Sequence, residues 1–395
     1  MENKVVIIKP GKDKSIVRQH PWIFSGAIKD TEGNPKEGDF VEVRANKGRF
    51  LGYGHYAEGS IAVRMLTFDE SESVEDLYQI RIQSAWNLRK SLQLVDNENT
   101  NIFRLVHAEG DRLPGLIIDH YAGHLVVQCH SLGMYQDIDK IKAALINTVG
   151  DHLKSIYLKS EATLPKGNSI YKGDGFLHNE AEMPITALEH GNKFNINWIT
   201  GQKTGFFIDQ RENRALIGRY SKGKKMLNTF CYSGGFSIYA LNEGAEIVHS
   251  LDSSQKAIDL VEENVAIGDF DKSKHASFTE DTMEFIKDLK EDYDIIILDP
   301  PAFAKHRKAK HNAVQGYKRL NAHAMRQIKP GGIIMTFSCS QVVDKTLFTN
   351  TIIAAAIAAE RNVRILEQLH QPADHPINAN HPEGEYLKGL VVQVE

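Results

Sequence analysis

The sequence predicts an α/β protein whose C-terminal half is a Rossmann-like, doubly wound parallel sheet, preceded by a small β-barrel and a central α+β domain. Three observations carry this. Short apolar alternations broken by glycines fill residues 1–72, the hydrophobic period becomes helical near residue 73, and strands and helices alternate regularly beyond residue 190.

The first segment alternates at Val41 and Val43 and again at Ile61, Val63 and Met65, with turns at Gly38, Gly48, Gly52, Gly54 and Gly59. That is the pattern of a small barrel. From Val74 to Leu94 the apolar residues Leu77, Ile80, Leu88 and Leu92 recur at helical spacing, so a new domain is expected from residue 73. Residues 101–190 mix strand-like runs at 116–119, 125–129 and 155–158 with a helix over 135–149. Farther on, strands are expected at 225–229, 246–252, 293–299 and 333–338, and helices at 233–241, 254–266 and 320–328. Two more strands, 363–369 and 386–394, flank a long loop containing His and Pro. The expected domains are therefore 1–72, 73–190 and 191–395.

Composition narrows the function. With 42% hydrophobic and 25% charged residues the chain is globular, and no apolar run approaches the ~20 residues that span a bilayer. The start, MENKVVIIKPGKDKS, becomes charged again after four apolar residues, so no signal peptide is expected. Cys129, Cys231 and Cys339 are far apart and offer neither a disulfide framework nor metal spacing, which suggests the cytoplasm. The 17 histidines show no local ligand spacing, and no metal site is expected. A net charge of −4 argues against non-specific coating of nucleic acid, although residues 1–68 hold eleven Lys and Arg against eight Asp and Glu.

Ligands of an open parallel sheet sit beyond the carboxyl ends of its strands. The run from Met226 to Phe236 ends an apolar strand and opens a helix, with Gly234 and Gly235 leaving room for a ligand. The next strand ends in Asp252, where a carboxylate accepts hydrogen bonds from ribose hydroxyls. Asp281 follows a third strand-like run and is placed to contact adenine. The dinucleotide fingerprint GxGxxG is absent and no cations gather for a pyrophosphate, so a nucleoside without phosphates fits better than NAD.

The fourth strand runs into Asp299-Pro300-Pro301-Ala302-Phe303, where two prolines stop the strand and stiffen the turn. Asp299 is thereby fixed, and Phe303 offers a ring on which a base can stack. The fifth strand ends at Cys339-Ser340. Cys129 and Cys231 read as small buried hydrophobes, but Cys339 stands at the catalytic edge. Cytosine C5 is too weak a nucleophile to take a methyl group from a sulfonium, whereas thiolate addition at C6 creates an enamine that can. Asp299 would hydrogen-bond N3 and N4 of that ring. The group that removes the C5 proton stays open between Asp299, the His375 or Glu383 region and water. Glu109 and Asp111, beside Gly110 and Pro114, read as turn-shaping residues.

These residues resemble the bacterial large-subunit ribosomal RNA cytosine-5 methyltransferases that carry an N-terminal PUA domain. The resemblance runs through 20–26 (HPWIFSG), 109–115 (EGDRLPG), 201–211 (GQKTGFFIDQR), 228–235 (NTFCYSGG), 299–303 (DPPAF), 338–340 (SCS) and 382–388 (PEGEYLK). The Asp-Pro-Pro turn with its later Ser-Cys also resembles the uridine-5 methyltransferases. The resemblance implies a PUA barrel that binds RNA, S-adenosylmethionine (SAM) as cofactor, large-subunit ribosomal RNA as substrate and a homodimer. It carries the cofactor site to Asn228, Ser233, Gly234, Gly235, Asp252, Asp281 and Asp299, and the nucleophile to Cys339. Gln210 on the cofactor side, and Pro300, Pro301, Phe303 and Arg211 on the substrate side, complete the expected site. Arg112 is larger than the residue expected in its turn. Two alternatives are an RNA methyltransferase acting on an amine or ring nitrogen, against which Cys339 weighs, and a non-catalytic ribosome-assembly factor.

Overall fold

The computed structural model describes residues 4–73, 75–304 and 306–395. Val74, the expected start of the helical segment, lies outside the described residues. The chain falls into two compact units. One comprises Met1–Ala187 with Ile196–Phe206 and Ala373–Gly384; the other comprises Leu188–Asn195, Phe207–Pro372 and Glu385–Glu395.

In the first unit, a six-stranded sheet runs in the order Trp22–Phe24, Ile61–Thr67, Phe50–Tyr56, Phe40–Ala45, Val5–Ile8, Ile28–Glu32. Its only parallel pairing among those described joins Val5–Ile8 to Phe40–Ala45. Alternation turns Val6, Ile8, Ile23, Val41, Val43, Val63 and Met65 into one core. Gly52 is required there: its φ is +146° and a Cβ would stand 2.2 Å from the Thr67 carbonyl oxygen.

The same unit holds a five-stranded sheet in the order Gly175–His178, Ser155–Leu158, His124–Cys129, Leu116–Tyr121, Ile102–His107. The helices Leu77–Ser91 and Ile138–Val149 contribute Leu77, Ile82, Ile141 and Leu145 to its core. The helix expected over 135–149 is broken, with Leu132–Gln136 ending before Ile138. Asp137 causes the break. Its carboxylate accepts from His55 Nε2 at 3.0 Å, Tyr78 OH at 2.6 Å and Lys140 Nζ at 2.7 Å, a role that holds the chain at a turn. Asp111 receives Arg89 through two bonds of 2.6 and 2.9 Å and the His107 N–H at 2.6 Å, and Arg112 follows it with φ +58°. A left-handed Arg is unusual, but the buried ion pair beside it fixes the turn.

The second unit is built on a seven-stranded sheet: β1 Lys225–Thr229, β2 Ile247–Asp252, β3 His275–Thr279, β4 Ile295–Leu298, β5 Gly332–Ser338, β6 Val363–His370 and β7 Lys388–Val394. The order is 3-2-1-4-5-7-6, with β7 antiparallel to both neighbours and the other pairings parallel. Its helices are α1 Arg211–Ser221, α2 Gly235–Asn242, α3 Gln255–Ile267, α4 Thr282–Phe285, α5 Lys310–Gln327 and α6 Lys345–Ala359. The inner strand Ile295–Leu298 is apolar and buried at every position, as a sheet covered on both faces requires. Leu227, Leu251, Ile296, Leu298, Tyr317, Phe348 and Leu390 belong to one core. The helix α5 begins ten residues before the expected start, because its first half is mostly polar and buries only Ala313 and Tyr317. No described helix is long and apolar enough to cross a membrane.

Candidate active site

Crossing from β1 to α2, the chain places Phe230 at φ +53°, Tyr232 at +46° and Gly234 at +74°. Left-handed aromatic residues cost energy, so the turn must be held from outside. The Cys231 N–H donates to the Leu251 carbonyl at 3.1 Å, and the Tyr232 N–H to Asp252 Oδ2 at 3.1 Å. Asp252 Oδ1 accepts the Ser254 N–H at 2.9 Å. The carboxylate at the end of β2 is thereby aimed by two backbone amides beside the turn.

The two glycines have packing reasons of their own. At Gly234 a Cβ would meet Val261 at 3.1 Å and the φ is left-handed; at Gly235 it would stand 2.7 Å from Arg214 Cδ. Arg214 is buried, and Glu189 takes its guanidinium through Nε at 2.8 Å and Nη2 at 2.7 Å. Nη1 donates to the Phe207 carbonyl at 2.9 Å, and Tyr239 OH reaches Glu189 at 3.1 Å. Asn228, expected to touch cofactor, is buried and donates to Ser237 Oγ at 2.9 Å, in a chain that continues to Ser250 and His275. Ser233 is buried with its carbonyl accepting from Asn264 at 2.8 Å. Asp281 is exposed and caps α4 by accepting the Glu284 N–H at 3.0 Å.

The other half of the site lies after β4 and β5. Asp299 Oδ2 accepts from Gln210 Nε2 at 2.9 Å, and Gln210 is itself oriented by Asn213 at 2.7 Å. Burial pushes the Asp299 carboxyl up to about 7, helped by the Asp209 carboxylate and opposed by the Gln210 bond and the Arg214 charge. Pro300 is buried, Pro301 exposed and Phe303 half-buried, with the Phe303 ring 4.6 Å from that of Tyr317. Gly316 leaves the room for it, since a Cβ there would lie 2.9 Å from Phe303 Cδ2. Ser340 Oγ donates to the Ala304 carbonyl at 2.7 Å, tying the Cys339 loop to the proline turn. Arg211 is only 2% exposed and its Nε donates to Glu212 at 2.9 Å.

Cys339 is half-buried. Burial pushes its thiol up to about 11, the Asp299 and Asp209 carboxylates push the same way, and Lys388 opposes them. Lys388 is buried at the start of β7, where its ammonium donates to the Ser340 and Val343 carbonyls at 2.7 and 2.8 Å. Burial lowers it to about 8. Asp209 accepts from Tyr386 OH at 2.7 Å through Oδ2, while its buried Oδ1 has no hydrogen-bond partner. A buried carboxylate oxygen left unpaired calls for a donor or a cation. Asp209, Arg214, Glu189 and Lys388 were missed as site residues by sequence reasoning. Asp209 and Lys388 fall inside the runs 201–211 and 382–388, which was the available signal; Arg214, in the polar segment RENRALIGRYS, and Glu189 offered none.

Comparison with known proteins settles the family. Residues 6–68 match the PUA-like domain family, and residues 172–390 match the family S-adenosylmethionine-dependent methyltransferase. The chain is 39% identical to ribosomal RNA large subunit methyltransferase I of Shewanella denitrificans over 98% of both chains, and 38% identical to that of Aeromonas hydrophila over 100% of both. The chain belongs to the ribosomal RNA large subunit methyltransferase I family. It is an S-adenosylmethionine-dependent methyltransferase. A structure from Streptococcus mutans described as a SAM-dependent methyltransferase superposes with a TM-score of 0.84 at 22% identity, over 99% of this chain and 100% of that one. The methyltransferase SMU.776, complexed with SAH, gives 0.85 at 22% identity over 100% of both. Family membership and the shared fold agree with the strand order 3-2-1-4-5-7-6.

Removing one partner of the buried ion pair leaves the other charge uncompensated. Glu189→Gln should destabilise the protein by ~3 to 5 kcal/mol, read as a lower urea midpoint. The double change Glu189→Gln with Arg214→Met should cost less than Glu189→Gln alone. Equal or greater loss in the double variant would show that Arg214 is not stranded by the first change.

Proposed function

We propose that this protein methylates C5 of cytosine in large-subunit ribosomal RNA through a covalent bond between Cys339 and C6. The observation that carries the reading is the placement of Cys339 and Asp299 beyond the C-terminal ends of adjacent parallel strands, β5 and β4, with each carboxylate and thiol shifted by burial in a shared site. The names of the curated relatives supply the RNA class. In this proposal residues 1–72 hold RNA, 73–190 form the central domain and 191–395 carry catalysis, in a cytoplasmic homodimer.

When bound, SAM supplies an electrophilic methyl group on a sulfonium. On the protein's side, Ser233, Gly234 and Gly235 border the cofactor, Asp252 accepts from the ribose hydroxyls and Asp281 reaches adenine. The orphaned Asp209 Oδ1 fits the ammonium of the methionine portion. Asn228 and Gln210 act from behind, the first through Ser237 and the second by aiming Asp299. Pro300, Pro301 and Phe303 border the base, and Arg211 supports the loop through Glu212.

Cytosine reaches Cys339 only after leaving its stack, at a cost of roughly a few kcal/mol that is smallest for an unpaired base. The Cys339 thiolate then adds to C6, and the C5=C6 electrons shift toward N3 as Asp299, in its neutral form, gives N3 a proton. C5 of the resulting enamine takes the methyl group. As C4=N3 re-forms, N3 returns its proton to Asp299; water takes the C5 proton, the electrons of that C–H bond make C5=C6, and the C6–S pair leaves with the Cys339 thiolate. Lys388 favours the thiolate against the two carboxylates.

Asp252→Ala should weaken SAM binding by ~1 to 3 kcal/mol through loss of a charged acceptor, measured by calorimetry. An unchanged dissociation constant would move the ribose elsewhere.

The two titrations define a pH profile. A thiolate from a group at about 11 and a neutral carboxyl at about 7 must coexist. Below about 7 Asp299 stays protonated while the thiolate fraction rises tenfold per pH unit, so kcat/KM should rise with unit slope. Above it the falling neutral carboxyl cancels the rising thiolate and the profile should level. Asp299→Asn should lower the rate by ~100-fold or more at neutral pH and keep rising beyond pH 7. A plateau retained in that variant would assign the break to another group.

Cys339→Ala should abolish transfer and keep SAM affinity. RNA bearing 5-fluorocytosine at the target should trap wild-type enzyme as a SAM-dependent, slow-migrating band on denaturing gels, since fluorine cannot leave as a cation. The variant should give none. Full activity in Cys339→Ala would eliminate covalent catalysis here and favour methylation of an amine.

A further inference from the structure

The first unit carries a second group of chemistry-bearing side chains, to which the proposed transfer steps assign no role. His20, His381 and Glu383 come from opposite ends of the chain, yet one ligand atom of each lies within 4.8 Å of the others. His20 Nε2 is 3.6 Å and His381 Nε2 3.9 Å from Glu383 Oε2. All three residues belong to the same compact unit.

A second observation gives the cluster a ligand. His381 is 3% exposed, and neither of its ring nitrogens has a hydrogen-bond partner. A desolvated imidazole with both nitrogens unspent is costly, and a bound ion or water is the ordinary way to satisfy it. His20 is arranged differently. Its Nδ1 lies 3.2 Å from the Trp22 carbonyl oxygen and also accepts the Trp22 N–H at 3.1 Å; an ion bound at Nε2 would select the tautomer that donates Nδ1–H to the carbonyl. Metal-ligating histidines are oriented by this kind of outer bond. Trp22 completes the surround: its indole Nε1 donates to Glu109 at 2.8 Å, and its ring packs 4.3 Å from His381.

We propose that His20, His381 and Glu383 bind a divalent transition-metal ion of the zinc type. Two imidazoles and one carboxylate are the donor set such ions favour. Tetrahedral bonds of ~2.0 to 2.1 Å put neighbouring ligand atoms roughly 3.3 Å apart, so side-chain rotation must bring the two histidine-to-carboxylate pairs, now 3.6 and 3.9 Å apart, and the two imidazoles, now within 4.8 Å, closer together. Glu383 is 51% exposed and leaves a side open to solvent, which gives the ion its entry path and a fourth position for water. No metal site is expected from the sequence, because His20 and the His381-Pro382-Glu383 turn share no local spacing. The ion would clamp the segment Ala373–Gly384 onto the strand Trp22–Phe24.

The test uses tag-free, full-length protein stripped with chelator. Zinc titrated calorimetrically should bind with a stoichiometry of one, and cobalt(II) in its place should give a visible d–d spectrum with tetrahedral intensity. His381→Ala should lose both signals. Glu383→Gln, at a half-exposed position that the fold does not need, should weaken zinc by about tenfold or more, and zinc should raise the melting temperature of wild type more than that of this variant. SAM affinity should stay the same in all of them, which separates this site from the catalytic one. Absence of saturable binding to wild type, or binding unchanged in Glu383→Gln and in a folded His381→Ala, would overturn the proposal. In that case the Trp22 ring alone shelters an unpaired imidazole. If His381→Ala does not fold, the Glu383→Gln titration decides.

Discussion

The catalytic end of this enzyme depends on one buried ion pair, Glu189 with Arg214. Glu189 is wholly buried and spends both oxygens on the guanidinium. Arg214 in turn supports three things. Its Nη1 holds the Phe207 carbonyl, its Cδ lies under Gly235, and its helix α1 carries Gln210 and Asn213 at and just inside its start. Through that first turn, the pair sets Gln210, and Gln210 sets Asp299. A pair so deeply buried gains little net stability over an apolar substitute, because two ions lost their water. What it secures is registry: the strand-to-helix turn of β1 and the carboxyl after β4 are referred to one fixed cation.

Charge in the site follows from that arrangement. The Asp209 carboxylate lies close enough to Asp299 to disfavour its ionisation, and Cys339 feels both. With Lys388 as the counterweight, the protein by itself keeps the thiol protonated. A cationic ligand changes the balance, because a positive charge beside Asp299 and Cys339 favours the ionised form of both. In the proposed mechanism the thiol would therefore gain reactivity when the site holds a cation. A half-buried cysteine at its resting value is a poor target for adventitious oxidation as well, since the thiolate is the reactive form.

Much of this was legible from sequence where the physics is local. The strand expected at 225–229 and that at 155–158 have those bounds, and the strands before Asp252, Asp299 and Cys339 end within a residue or so of the expected positions. Apolar runs with β-branched residues, stopped by Asp-Pro-Pro or Ser-Gly-Gly, leave few alternatives. Patterns without period were harder. The helix α6 is Ala- and Ile-rich on most faces and gave no stripe, and α5 hid its polar first half. The two-residue turn at His190 and Gly191, both left-handed, joins Ile185–Glu189 to Asn192–Ile196 and was overlooked. Tertiary partners were out of reach. Nothing local says that Gly235 is small because Arg214 lies beneath it, that Asn228 faces Ser237, or that Asp137 collects three donors and splits a helix.

Lys388 shows why one member of the site could not be found by the usual rule. In a parallel sheet the functional residues come after strands, because the carboxyl ends share one edge. The last two strands break that rule in order. β7 inserts between β5 and β6 and runs against both, with Lys388 paired to Ser338 at its first position. A strand that runs backwards brings its beginning, not its end, to the catalytic edge. The ammonium accordingly lands on the Ser340 and Val343 carbonyls, around Cys339, although it opens a strand whose other residues are apolar except for Gln393. A parallel β7 would carry the same lysine to the opposite edge and leave the thiol facing two carboxylates with no cation from the protein.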